Sequence, residues 1–128
     1  MAYWSMQTLA AAFLGVLFLQ SGLDKIFDRD GNLQWLTGHF ANTPLDGLVP
    51  MMLTVITWVE LGAGAVSLLG AVVLFFGGGT AVALLGAILA ALALLMLFTG
   101  QRIAKDYVGA AVLVNYFILA LGTIYLMG

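Results

Sequence analysis

Two ionisable residues interrupt apolar sequence: Glu60, within ITWVELGAGAVSLLG (residues 56–70), and Lys25, within LFLQSGLDKIFD (residues 17–28). Charged side chains are costly in hydrocarbon and are kept there where they pair or do chemistry. A lysine ammonium can donate a hydrogen bond to a carbonyl oxygen, and a nearby glutamate can accept or relay a proton. These two are therefore the candidate catalytic residues. Gln20, Ser21 and Asp24 share the helix end that carries Lys25, and Asn115 lies in the last apolar run. With Trp35 and His39, placed as a roof from the first long connection, they form the candidate ligand-binding set. A cleft with few polar groups and apolar walls suits an amphipathic small molecule such as a quinone. The same residues admit a structural reading. In it Glu60 and Lys25 are a buried pair that sets helix register, and Asn115 binds the last helix to its neighbours.

The elements that must position these residues are membrane spans. The chain has 128 residues, 63% hydrophobic and 8% charged, with a mean hydropathy of +1.12. A soluble domain carries roughly a quarter charged residues. Apolar runs of about 18 or more residues read as spans, and four occur, at about 5–23, 51–76, 80–98 and 107–126. The start, MAYWSMQTLAAAFLG, lacks a basic region and is expected to be the first span rather than a cleaved signal. The expected architecture is an all-α membrane protein, one four-helix transmembrane bundle over residues 1–128, with a short interfacial segment in the first loop. In that loop Leu33, Leu36 and Phe40 recur at helical spacing beside Trp35, which suits an amphipathic segment at the interface or folded back over the bundle.

Direction follows from side-chain size. Steps of three and four from Glu60 give Thr57, Gly64, Ser67 and Ala71, while Val55, Val59, Val66, Leu69 and Val73 take the other side. Small and hydroxyl residues allow close helix contact in membranes, so Glu60 is expected to face the bundle. Ala83, Gly86, Ala90 and Ala93 offer a matching seam on the third span, and Ala111, Asn115 and Gly122 are expected to do so on the fourth. Trp58 is a natural interfacial anchor. A span from residue 56 places Glu60 about one turn below the interface, whereas entry at Pro50 puts it about 15 Å in. The shallower position is preferred.

Several functions drop out. There is no cysteine, so thiol–disulfide chemistry, thiolate-bound zinc and iron–sulfur clusters are not expected of this chain. The single histidine, His39, cannot supply bis-histidine haem ligation, and no metal site is expected. DRDGN resembles a calcium loop, but its glycine comes too early and His39 stands where a glutamate is needed. GGGTAVALLG has no lysine and no preceding strand, so its glycines make a turn and hold no phosphate. All four basic residues fall in the first and third loops, which the positive-inside rule assigns to the cytoplasm.

LFLQSGLDKIFD, VELGAGAVSLLGAVVLF and an asparagine in the last span together resemble the DoxX-like family of small membrane proteins. Gly22, Lys25, Glu60 and Asn115 are the matching positions. The resemblance implies a four-helix protein of a bacterial-type cytoplasmic (inner) membrane, related to small subunits of quinone-linked oxidoreductases. Quinone is then the expected ligand, redox-enzyme subunits and further copies of the chain are the expected partners, and no nucleic-acid partner is expected. Two features depart from the family. GGGT lacks the basic residue often found between spans two and three, and TGQ lacks the histidine often found after span three. Three functions compete: a redox-assembly subunit, a non-catalytic scaffold or assembly protein, and a small proton-coupled permease titrating Glu60.

Overall fold

The structure is a computed structural model and describes residues 2–128. Its helices are α1 (Ala2–Phe27), α2 (Arg29–His39), α3 (Val49–Phe75), α4 (Ala81–Ile103) and α5 (Tyr107–Met127). Among the described residues there is no strand. Four helices, all except α2, are long and apolar enough to cross a membrane.

Each junction has a local cause. Asp28 leaves helical geometry between α1 and α2, yet hydrogen bonds from Asp28 N to Asp24 O and from Asn32 N to Asp28 O carry the chain through a bend. Pro50 opens α3 in its first turn, where its missing N–H costs nothing. Gly77 and Gly79, both at positive φ, turn the chain between α3 and α4. Lys105 takes φ 62° after α4, and the Asp106 carboxylate then caps α5 by accepting from Gly109 N at 2.9 Å.

α3 is the centre of the bundle, packed along α1 on one side and α4 on the other, and α5 packs mainly on α4. The approach is close because glycine permits it. A Cβ on Gly64 would collide with the backbone nitrogen of Leu19, and one on Gly70 would meet the backbone of Ala83. These contacts fix an antiparallel register in which Gly15, Leu19 and Gly22 of α1 oppose Leu68, Gly64 and Leu61 of α3. On the other side Gly70 and Ser67 oppose Ala83 and Gly86 of α4.

Thr57, Glu60, Ala63, Gly64, Ser67, Gly70 and Ala71 are all buried on α3, and Ala83, Gly86, Ala90 and Ala93 on α4, as the small-residue seams predict. Large apolar residues such as Leu9, Phe13, Val72, Leu85 and Leu92 point outwards, the arrangement that lipid allows. α5 differs from expectation. Ala111, Asn115 and Gly122 are exposed, and the inward face is Ala110, Ala120, Thr123 and Met127. The helix offers small residues on two faces, and the packing against α4 takes the one without the amide.

α2 folds back over the bundle. Leu33 and Leu36 pack against the core, and Phe40, just past the helix end, is buried. α3 runs unbroken from Val49, beginning before the shorter span expected from residue 56. One face of its extra turns is covered from within the protein, where Val49, Leu53 and Ile56 are buried, while Met51 and Val55 are exposed.

Candidate functional site

Lys25 lies in the last turn of α1 and Glu60 on the inner face of α3. Their side chains approach to 2.8 Å between Nζ and Oε1. Glu60 is 1% exposed and Lys25 17%, so the carboxylate is sealed while the ammonium keeps a route outwards. Nζ also donates to Ser21 Oγ, one turn back on α1, at 2.9 Å. Glu60 Oε1 has no aligned hydrogen bond, so the pair is held as a close charge contact. The Thr57 hydroxyl does not help, because it donates to Leu53 O at 2.6 Å. Continuing the α3–α4 register by two turns from Ser67 and Gly86 sets Ala93 opposite Glu60. That leaves Lys25 as the partner within reach.

In front of Lys25 opens a cavity of about 700 Å³, within the size range of small-molecule sites. Trp35 and Phe40 wall it from the α2 side, Met51 and Met52 from the start of α3, and Met96 and Gln101 from the end of α4. Lys25 is its one ionisable lining residue, and Glu60 stands behind it. Lysine thus presents to an apolar chamber a charge balanced from the rear. Such a group can donate hydrogen bonds to a carbonyl oxygen: of its three protons one goes to Ser21 Oγ, and Glu60 meets the ammonium as a charge contact.

His39 does not face Lys25. Its Nε2 lies 2.7 Å from Gln101 Oε1 and 3.7 Å from Asp106 Oδ2, and its ring stacks on Trp35 at 4.4 Å. With the amide oxygen as acceptor, Nε2 is the donor. The histidine therefore fastens the end of α2 to the α4–α5 junction and so keeps the cavity roofed.

The structure brings together Lys25, Glu60, Ser21 and Trp35 from the sequence-derived set. Gln20 and Asp24 are exposed on α1 and do not line the cavity, and Asn115 lies on the outer face of α5. Met51, Met52, Met96, Asn32, Thr99 and Gln101 line the cavity without having been singled out from sequence. The one hint was Met51-Met52 directly after Pro50, since methionine fills irregular space adaptably. Among the described residues no group of three or more His, Asp or Glu side chains is placed to hold a metal ion.

Comparison with known families matches residues 8–99 to DoxX. The chain belongs to the DoxX family. The match runs from α1 to the end of the apolar part of α4, so it includes Lys25, Glu60 and the walls of the cavity up to Thr99. α5, and Asn115 with it, lies outside the matched residues. No match was found among curated proteins or solved structures. Family membership and the four apolar helices make this an integral, multi-pass membrane protein of the DoxX family.

Proposed function

We propose that this DoxX-family protein is a small membrane subunit or accessory of a quinone-linked oxidoreductase, and that the cavity seats a quinone or a similar apolar carbonyl compound. The observation that carries this is the cavity of about 700 Å³ whose one ionisable lining residue is Lys25, backed at 2.8 Å by a sealed carboxylate. Lys25 donates to a carbonyl oxygen of the bound molecule, Glu60 holds or relays the proton behind it, and the methionines and Trp35 exclude water. A bound quinone would supply two-electron redox chemistry, with the electrons coming through a partner subunit. The bacterial inner membrane is the expected site. The α1–α2 and α4–α5 junctions, which carry all four basic residues, face the cytoplasm in this reading.

The decisive experiment is purification in mild detergent, followed by mass spectrometry of bound small molecules and companion proteins. Wild-type protein should carry quinone, and Lys25→Met and Glu60→Gln should carry much less. Wild-type protein without quinone, whose stability is also indifferent to added quinone, removes the proposal.

A further inference from the structure

Lys25 also borders a smaller recess of about 190 Å³, formed where α1 and the start of α2 meet α3. Its walls include Lys25, Ile26, Arg29, Thr54, Trp58 and Leu61. Arg29 Nη2 donates to Thr54 Oγ1 at 2.9 Å and to the Pro50 carbonyl at 3.4 Å. Both acceptors are neutral, and among the described residues Arg29 forms no ion pair. The carboxylate of its neighbour Asp28 turns towards Gly31 instead. Because Glu60 already answers the charge of Lys25, the recess is left with one positive charge, that of a guanidinium held in place by two hydrogen bonds.

Depth and wall chemistry say what would neutralise it. Trp58 is 70% exposed on the outer face of α3, where tryptophan marks the headgroup level of a bilayer. Ile26 and Leu61 supply apolar surface beside the charge, as an acyl chain requires. Basic pockets between membrane helices bind anionic headgroups, and the arginine fork matches the two free oxygens of a phosphodiester. We propose that this recess is a binding site for the phosphate of an anionic phospholipid such as phosphatidylglycerol. Zwitterionic phosphatidylcholine carries the same phosphate with a compensating cation and is disfavoured. The recess would take this lipid whether the larger cavity holds a quinone or another ligand.

The test uses the full chain in phosphatidylcholine nanodiscs holding a minority of phosphatidylglycerol. Trp4→Phe and Trp35→Phe leave Trp58 as the reporter. Moving bromine labels from the choline lipid to the glycerol lipid should quench Trp58 well beyond the mole fraction of the latter. Arg29→Gln should lower that enrichment about fivefold, Arg29→Lys should retain most of it, and Lys105→Gln, an exposed lysine elsewhere on the same side, should leave it unchanged. Quenching that follows mole fraction in the folded single-tryptophan protein that keeps Arg29 overturns the site, whatever the Arg29 variants do. An equal loss in Lys105→Gln reduces it to general surface charge, and displacement by millimolar inorganic phosphate excludes a lipid-specific site. Either result also overturns the proposal.

Discussion

Lys25 and Glu60 meet at 2.8 Å across the α1–α3 interface, the glutamate sealed and the lysine in the last turn of its helix. The two partners are therefore not equivalent. Removing the lysine strands a carboxylate at 1% exposure, whereas removing the carboxylate leaves an ammonium that can extend outwards. Lys25→Met should cost about 3–5 kcal/mol of stability, the range for breaking a buried pair from one side. Glu60→Gln should cost clearly less, and Lys25→Met with Glu60→Leu should recover most of the loss. Chemical unfolding in detergent micelles gives the ranking, and a costlier Glu60→Gln would show that the asymmetry is wrong.

Close helix approach gives a sharper contrast within one element. Gly64→Ala drives a methyl into the backbone of Leu19, which cannot rotate away, and should destabilise at or beyond the top of the about 1–3 kcal/mol range for overpacking. Gly62→Ala, two residues earlier with nothing within 4 Å, should be neutral or slightly stabilising. Thermal unfolding of the two variants side by side decides it.

The roof over the cavity depends on few contacts. His39→Ala removes the hydrogen bond to Gln101 and the stack on Trp35, while Phe40 remains. Amides of residues 29–39 should exchange about fivefold faster, equivalent to about 1 kcal/mol, and those of α3 should not change. Uniformly faster exchange would mean that the histidine supports the whole bundle.

Binding in the cavity can be separated from the ion pair by filling the space. Met96→Trp adds bulk at a wall residue that is already 41% exposed, leaving Lys25 and Glu60 untouched. Retained quinone should fall several-fold while stability moves by less than about 1 kcal/mol. Undiminished quinone in a folded Met96→Trp protein would place the ligand elsewhere.

Asn115 should be silent in the bundle. It is exposed on α5, so Asn115→Leu is expected to change unfolding stability by no more than about 0.5 kcal/mol. A larger loss would show that α5 packs through the face that carries the amide.

The inward turn of Glu60 was legible because α3 has one small-residue face and one branched face, so only one rotation buries the former. α5 was not legible for the opposite reason. Ala110 with Ala120 and Ala111 with Gly122 offer rival small faces, and the polarity of Asn115 drew the choice the wrong way. Leu33, Leu36 and Phe40 announced an amphipathic segment, but the contact between His39 and Gln101 joins residues that no local spacing relates. A cleft beside Lys25 under Trp35 was expected, but most of its walls were not legible. Met51, Leu53, Ile56 and Met96 read as ordinary span residues, and an unfilled volume between helices leaves no periodic trace.

Lys25 lines both the large cavity and the small recess, so one ammonium is the partition between two compartments. Its protons are finite, and a ligand that draws the side chain towards one compartment withdraws it from the other. Whatever factor occupancy on one side imposes on affinity at the other, thermodynamic reciprocity returns in the opposite direction. The composition of the surrounding bilayer would in that way set how tightly the interior of the bundle holds its guest.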